Sequence, residues 1–573
     1  MPRTSPQTTS PHNVVARQWL SAWRRRGSAL PLVAAAAAAA ATTFGLTACT
    51  APASPAGVSE GGSIVIGAEQ EPDCADWIAT CGGSIWGSYM MQTPTIPTAF
   101  DVRKVGDDWG LEPSPVLTGE PTLAVENGKQ IMTYTINPAA VWSDNEPITS
   151  ADFAYTANQI RDGDDILDKT GYDLIESVAA PDPKTAVVTL STTYAPWKQL
   201  FAGLLPQHLL DGKDRSAIMK DGYSFSGGPW IIDSWKKGTS ITLVPNKNYW
   251  GEKPKLDKVT FQIITDTAAA FQALKSGQVQ ALYPSPQLDA ISQIKAGVPN
   301  TNVKVDAESS NLEALWMNDT AFPFDSQAVR TAFVYSIDRQ QIVERLYGEL
   351  GVATPAQSFL SPLVSAYAGD DFSRYGLDLD RVGALMTGDG WVKNSDGIWA
   401  KGGRAAEISI VSLAGNKRRE LTEQVLQSQL KDAGFSLTIA NTTPADLFGN
   451  VAPKGDFQLG LWTIVDTFPE PALSASFLSS SIPSQANGYS GINFMRASIP
   501  GLDDLLNTVD TAVDPSVRLK ASLAADELIA QNVPSLPVAA VPNILMTSTS
   551  VGGDLSINPA KGPFWNIEEW THG

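Results

Sequence analysis

Residues 225–283 are the stretch that most constrains the fold of this chain. Segments 230–235 and 240–245 are rich in β-branched and aromatic residues and flank a Lys-Lys-Gly-Thr turn, which predicts a hairpin. A third strand is predicted at 259–264, where apolar and polar side chains alternate. The first part of the stretch is therefore expected to add consecutive strands to a sheet.

The second part of this stretch predicts a crossover. Asp266 or Thr267 begins a short helix with one apolar face, and Gly277 ends it at a position that suits a left-handed residue. A last strand is predicted at 279–283. A strand–helix–strand connection of this length requires a partly parallel sheet with a helix on it, so the fold class is α/β.

The composition is that of a large globular protein with an acidic surface. Of 573 residues, 43% are hydrophobic and 18% are charged, and the formal net charge is −19. This charge disfavours binding to nucleic acid, because the phosphate backbone is attracted by an excess of lysine and arginine.

The N-terminus has the pattern of a secretory signal. Arginines precede an Ala-rich apolar run at 29–41, and Leu46-Thr47-Ala48 stands before Cys49. Cysteine at this point resembles a bacterial lipobox, which implies a signal peptide of residues 1–48, lipidation of Cys49 and attachment to the extracytoplasmic face of the cell membrane. The alternative is an uncleaved anchor, but the apolar run is short for spanning a bilayer. Residues 49–62 are rich in Pro, Ala, Ser and Gly and are expected to form a flexible tether.

Two further cysteines, Cys74 and Cys81, lie seven positions apart. In an exported protein, such an isolated pair favours a disulfide. The alternative is a metal site, but two cysteines without a nearby histidine do not complete a zinc shell. The sequence predicts neither a metal site nor a cofactor.

Several motifs carry a resemblance to a known family. They are Gly227-Gly228-Pro229, Pro245-Asn246-Lys247-Asn248-Tyr249-Trp250, Leu274-Lys275-Ser276-Gly277, and the run from Val329-Arg330 to Ile337-Asp338-Arg339. Together they resemble the oligopeptide and dipeptide class of extracytoplasmic solute-binding proteins of ABC importers. The resemblance implies a periplasmic-binding-protein-like, two-lobed (Venus flytrap) α/β fold with an extra subdomain in the first lobe.

The resemblance also implies the order of the lobes along the chain, with hinge crossings near 305–312 and 525–534. The expected segments are 63–106 (lobe I), 107–222 (extra subdomain of lobe I), 223–308 (lobe I), 309–530 (lobe II) and 531–573 (lobe I).

By the same resemblance, the protein is not an enzyme: it captures oligo- or dipeptides and delivers them to an ABC permease driven by ATPase subunits. It is expected to act as a monomer. Alternative ligands on the same fold are an oligosaccharide, nickel or another small solute, and an alternative of another class is an exported hydrolase. The three histidines, His12, His208 and His572, have no metal-ligand spacing.

The ligand-binding residues are expected in two places. In the family, a Trp-x-x-Asp segment of lobe II pairs with the peptide backbone and holds its ammonium. The matching positions are Trp462, Thr463, Ile464 and Asp466, with one extra residue before the aspartate. Here Trp462 is either a cleft wall or a core residue, and Asp466 is either a ligand contact or a solvated turn residue. The cysteine loop adds Thr80, Cys81, Gly82 and Gly83 as candidates.

Overall fold

The computed structural model of the chain describes residues 61–106, 108–307, 309–443, 446–465, 468–471 and 473–573. These residues form two lobes, each built on its own β-sheet and its own large hydrophobic cluster. We call residues 61–307 and 541–573 lobe I, and residues 309–540 lobe II. Among the described residues, no helix has both the length and the apolar character needed to cross a bilayer.

Lobe I is built on a seven-stranded sheet in which Ser63–Ala68 is central. This strand pairs in parallel with Lys258–Ile263 on one side and with Ala281–Leu282 on the other. The helix Thr267–Lys275 connects those two neighbours, and its N-cap Asp266 accepts a hydrogen bond from Ala269 N. The predicted crossover is therefore present. The other strands of the sheet are Trp230–Lys236, Ser240–Pro245, Thr301–Asp306 and Asn543–Ser548.

The extra subdomain is an antiparallel four-stranded sheet with the helix Ser150–Asp162 against it. Thr149 and Asp152 form a capping box that begins the helix. The buried aromatic residues of the subdomain belong to the same hydrophobic cluster as the lobe I sheet, so the two share one core. Its strands are Thr122–Glu126, Lys129–Thr135, Thr185–Leu190 and Ile175–Asp182.

Lobe II is built on a five-stranded sheet with Asn311–Met317 between Leu459–Val465 and Ser535–Ala540. The other two strands, Glu407–Val411 and Ser436–Ile439, run parallel to each other. Helices surround this sheet, the longer ones being Gln327–Tyr335, Arg339–Tyr347, Leu379–Gly388, Lys417–Ala433, Leu502–Thr511 and Pro515–Asn532.

The chain passes between the lobes twice. The first crossing lies between the strands Thr301–Asp306 and Asn311–Met317, within the predicted range. The second lies at 541–542, between Ser535–Ala540 of lobe II and Asn543–Ser548 of lobe I. This corrects the expected crossing at 525–534 and the expected boundary at 531, because strand 535–540 pairs with the lobe II strand 311–317.

The Gly-Gly-Pro and Pro-Asn-Lys-Asn motifs are explained by close backbone approaches in lobe I. A Cβ atom on Gly228 would lie 2.6 Å from the carbonyl oxygen of Pro94. Asn246 Nδ2 donates to Gly228 O at 2.9 Å, and Asn248 Nδ2 donates to Ser143 O at 2.7 Å. These motifs therefore connect the hairpin of the lobe I sheet to the segment that leads into the extra subdomain.

The predicted disulfide is present, with the Sγ atoms of Cys74 and Cys81 2.07 Å apart. It closes a short loop directly after the first strand of lobe I. Within this loop, Asp76 is fully buried and forms an ion pair with Arg215 at 2.7 Å, which ties the loop to the helix Arg215–Met219.

Candidate functional site

A cavity of about 580 Å³ lies between the two lobes, and both lobes contribute to its wall. This volume falls in the range typical of small-molecule sites. Lobe I contributes residues within and after the cysteine loop, the extra subdomain and the C-terminal segment around Lys561. Lobe II contributes the start of strand Asn311–Met317, the end of strand Leu459–Val465 and residues from two helices.

The lobe I wall contains several aromatic side chains. Trp77, Tyr89, Tyr172 and Tyr194 all line the cavity. The Tyr172 hydroxyl accepts a hydrogen bond from Phe201 N at 2.7 Å, which fixes the ring. Burial raises the pKa of Tyr89 to about 12, and a hydrogen bond with Tyr283 opposes this shift.

The lobe II wall carries two carboxylates. Glu470 lies in the segment 468–471 and forms an ion pair with the buried Arg518. Asp510 lies in the last turn of the helix Leu502–Thr511. Burial raises the pKa of Glu470 and of Asp510, although Arg518 opposes the shift in both. This side of the cavity is therefore acidic.

The two lysines of the wall are already paired. Lys198 forms an ion pair with Glu120 at 2.5 Å, and Lys561 contacts Asp101. Burial alone would raise the pKa of Asp101, but the charges of Lys561 and Arg103 hold it at about 2. Asp101 therefore stays ionised and fixes Lys561 beside the cavity.

The lobes contact each other on both sides of the cavity wall. Ala195 N, in lobe I, donates to Asp510 O, in lobe II, at 2.7 Å. Ser310 Oγ donates to Pro559 O at 3.2 Å beside the first crossing. Further out, Lys295 forms an ion pair with Glu349 at 2.5 Å. These contacts describe a closed arrangement of the two lobes around the cavity.

The residues predicted in lobe II are placed differently by the structure. Trp462 is 4% exposed and stacks on Trp316 with ring centroids 6.1 Å apart, so it packs in the lobe II core and does not line the cavity. Thr463 and Ile464 pair with Glu313 and Leu312 in the sheet; only the next residue, Val465, reaches the wall. We therefore replace the predicted ligand role of Trp462 with a packing role. Asp466 lies outside the described residues.

The cysteine loop also differs from the expectation. Thr80, Cys81, Gly82 and Gly83 are not part of the cavity wall. Thr80 N donates instead to Asp165 O at 2.7 Å, which holds the loop against the extra subdomain. A Cβ atom on Gly82 would lie 2.4 Å from Asp76 O, so this glycine serves a close backbone approach. The residues on either side of these four, including Trp77 and Ile85, line the cavity.

The cavity residues that the sequence analysis missed come mainly from the extra subdomain and the C-terminal helices, namely Asp168, Tyr172, Tyr194, Lys198, Asp510 and Lys561. They are far apart in the sequence and form no motif. A signal was present only for Glu470, which belongs to the acidic-Pro step after Asp466.

The described residues show no arrangement suited to a bound metal. Among them, no group of three or more His, Cys, Asp or Glu side chains has the geometry to hold a metal ion. His208 contacts Asp144 at 3.0 Å in the extra subdomain, and His572 contacts Ser63 O at the chain end. Cys49 lies outside the described residues.

Comparisons with known proteins agree with this architecture. The profile of the bacterial extracellular solute-binding proteins, family 5 (middle region), matches residues 112–485. The oligopeptide-binding protein OppA of Mycobacterium tuberculosis is 25% identical over 511 residues, which cover 87% of this chain and 83% of OppA.

Two solved structures have a similar fold. The periplasmic EDTA-binding protein EppA has a TM-score of 0.80 at 22% identity, covering 90% of this chain and 97% of its own. The oligopeptide-binding protein AppA of Bacillus subtilis, solved with a nonapeptide, has a TM-score of 0.73 at 20% identity, covering 90% and 100%. At sequence identities of 22% and 20%, these similarities support a shared fold.

Proposed function

Because the chain belongs to the bacterial extracellular solute-binding proteins of family 5, we propose that it captures short peptides outside the cell membrane and delivers them to an ABC permease. The permease and its ATPase subunits are the partners of this proposal, and the binding protein acts as a monomer. It releases its ligand unchanged, which distinguishes it from an exported hydrolase.

The observation that carries the proposal is the cavity between the lobes. Its wall combines aromatic side chains with two carboxylates on the lobe II side, and with two lysines and a further carboxylate, that of Asp168, on the lobe I side. A peptide offers both apolar side chains and opposite charges, together with backbone groups that pair with an exposed strand end such as Val465. A wholly anionic chelate such as EDTA suits this wall less well, because Glu470 and Asp510 would repel it.

Closure around the ligand follows from the two-crossing topology. A ligand that contacts both lobes favours the closed arrangement by its differential affinity for that state. The Ala195–Asp510 hydrogen bond forms only when the lobes meet, so ligand binding and this contact support each other. The hinge residues among the described part of the chain are 307, 309–310 and 541–542.

Peptide binding is expected to be lost when the cavity is filled. Ala475 lines the cavity from the helix Leu473–Phe477, and an indole there would occupy the ligand space. We expect Ala475→Trp to weaken peptide binding at least about tenfold, as measured by intrinsic tryptophan fluorescence and by ligand-induced thermal shift. The control Ala384→Trp, on the exposed face of a lobe II helix, should bind as the parent does.

The parent protein is tested with a pool of di- to pentapeptides, and mass spectrometry of the recovered ligand tests for cleavage. The absence of any thermal shift with the pool would contradict the peptide assignment. Cleaved products would favour the hydrolase instead.

Lipid attachment at Cys49 is the second part of the proposal. It is supported by the basic region, the apolar run and the Leu-Thr-Ala-Cys sequence. We expect Cys49→Ala to move the protein from the membrane fraction to the medium or the soluble exported fraction, as measured by immunoblotting of fractionated cells. Cys74→Ala should leave the distribution unchanged, and equal membrane retention of both variants would contradict lipidation at Cys49.

A further inference from the structure

We propose that the lobe II side of the cavity, formed by Glu470 and Asp510, is a subsite for the basic side chain of a peptide, so that the protein prefers lysine- or arginine-containing peptides. This inference rests on the proposed function and names the class of peptide. It is distinct from recognition of the peptide's terminal ammonium, which the experiment below separates from it.

The first support is the balance of charge on the cavity wall. Three carboxylates line the cavity, those of Asp168, Glu470 and Asp510. The two lysines of the wall each form an ion pair with an acid outside the wall, Lys198 with Glu120 and Lys561 with Asp101, and Lys198 also acts on Glu470 through its charge. The wall therefore has an excess of negative charge that a cationic ligand group would balance.

The second support is the shortage of positive charge around Asp510. The one guanidinium nearby, that of Arg518, forms its ion pair with Glu470 and donates Nε to Val509 O at 2.8 Å. Ser474 and Arg518 both oppose the rise in the pKa of Asp510, and Arg518 does so only through its charge. Two carboxylates thus share one guanidinium, and the ligand space lies in front of them.

The third support is the position of Asp510 in its helix. It lies in the last turn of Leu502–Thr511, where the aligned peptide dipoles of the helix create a negative potential. An ionised carboxylate is disfavoured in this position, and partial burial further raises the free energy of its ionised form. A ligand cation placed here would be stabilised by both the carboxylate and the helix end.

The fourth support is the convergence of the acids on one aromatic residue. Burial raises the pKa of Tyr194, and the negative charges of Asp510, Asp168 and Glu470 raise it further. The three acids therefore lie close enough to Tyr194 to act on it together. The aliphatic stem of a lysine or arginine would contact this ring while its charged end reaches Asp510.

The subsite is also linked to closure. The backbone carbonyl of Asp510 accepts a hydrogen bond from Ala195 N of the opposite lobe, at 2.7 Å. A cation held by the Asp510 side chain therefore binds beside a contact that exists only in the closed arrangement. A basic side chain is expected to favour closure more than a neutral one of the same size.

The test compares matched tripeptides, Ala-Lys-Ala and Ala-norleucine-Ala, each with a free and with an acetylated N-terminus. We expect the lysine peptides to bind at least about tenfold more tightly than the norleucine peptides, with either N-terminus, by isothermal titration calorimetry. Asp510→Asn should lower the ratio of lysine-peptide to norleucine-peptide affinity to about twofold or less. The control Asp504→Asn, exposed on the same helix, should keep the preference.

Equal affinity for lysine and norleucine peptides would overturn the inference and leave the proposed function intact. The inference would also be overturned, with the proposed function intact, if affinity depended only on whether the N-terminus is free. It would be overturned likewise if Asp510→Asn kept the full preference for lysine. Failure of all four peptides and of a mixed peptide pool to bind would overturn the proposed function and this inference with it. Circular dichroism and the urea midpoint of Asp510→Asn verify that the variant is folded.

Discussion

Replacing Glu313 by glutamine is expected to lower the free energy of unfolding by about 3–5 kcal/mol. Glu313 lies on the strand Asn311–Met317 of lobe II and is 3% exposed. Its carboxylate contacts Arg418 Nη1 and accepts a hydrogen bond from Arg419 Nε at 2.8 Å. Both arginines are buried, so the substitution would leave two guanidinium groups without their shared counter-charge.

The position of the two arginines increases the loss of stability expected from Glu313→Gln. They lie in the first turn of the helix Lys417–Ala433, where the helix dipole already presents positive charge. Tyr347 Oη accepts a further hydrogen bond from Arg418 Nη1 at 3.0 Å, but it is neutral and cannot replace a carboxylate. The network joins the strand Asn311–Met317 of lobe II to the helix Lys417–Ala433.

Urea unfolding measured by fluorescence tests this prediction. The control Glu420→Gln removes an exposed pair with Lys417 at 2.8 Å on the same helix and should change the unfolding free energy by less than about 1 kcal/mol. Combining Glu313→Gln with Arg418→Met and Arg419→Met should restore much of the loss, because the buried charges are then removed together. A loss below 1 kcal/mol for Glu313→Gln alone would contradict the argument.

The motifs that identify the family have structural roles in the fold. Arg339, from the Ile-Asp-Arg motif, is 5% exposed and donates to Pro537 O at 2.9 Å and to Phe372 O at 2.7 Å. Asp338 caps the helix Arg339–Tyr347 by accepting from Gln341 N. These roles depend on short local patterns and on buried backbone groups, so a sequence analysis identifies the family and the α/β class through them.

The residues of the cavity wall are harder to predict from the sequence. Tyr194, Asp510 and Lys561 come from three distant parts of the chain, and only the closed arrangement of the lobes brings them to one space. Their residue types are equally common at surfaces. Trp462 illustrates the converse: its sequence position allowed either a cleft wall or a core residue, and stacking on Trp316 places it in the core.

The sequence places the second hinge crossing at the wrong position for a similar reason. Residues 534–549 suggest a continuous apolar strand region, in which the sequence marks no change of lobe. The structure divides it at 541–542, because Ser535–Ala540 pairs with strand 311–317 and Asn543–Ser548 pairs with Thr301–Asp306. The pairing partners decide the lobe of each half. These partners lie about 220 positions away in the sequence for the first half and about 240 for the second, so the contacts are non-local.

The protein is expected to become more stable as the pH falls from 8 to 5. Burial raises the pKa of Asp319, Glu423 and Glu568 to about 7 and that of Asp526 to about 6. In the unfolded chain, these acids ionise near pH 4, so the folded state binds more protons between pH 4 and 7. Their contribution to stability is therefore fully present below about pH 4 and is lost as the pH rises through 6 to 7.

Asp101 gives the stability the opposite pH dependence at lower pH. Its pKa of about 2, set by Lys561 and Arg103 against the effect of burial, contributes stability above pH 4 that is lost as the pH falls towards 2. The urea midpoint should therefore be highest near pH 5, with lower values at pH 8 and at pH 3.

Glu568→Gln isolates one of these acids. Glu568 borders a second, smaller cavity of about 100 Å³ beside Asp101, and glutamine preserves its size while removing the charge. We expect the substitution to raise the unfolding free energy by roughly 2–3 kcal/mol at pH 8 and by less than about 1 kcal/mol at pH 5. Glu527→Gln, on the exposed face of the helix Pro515–Asn532, should change it by less than about 0.5 kcal/mol at both pH values. Equal effects of Glu568→Gln at pH 8 and pH 5, or a loss of stability at pH 8, would show that the Glu568 carboxylate is not destabilised by burial.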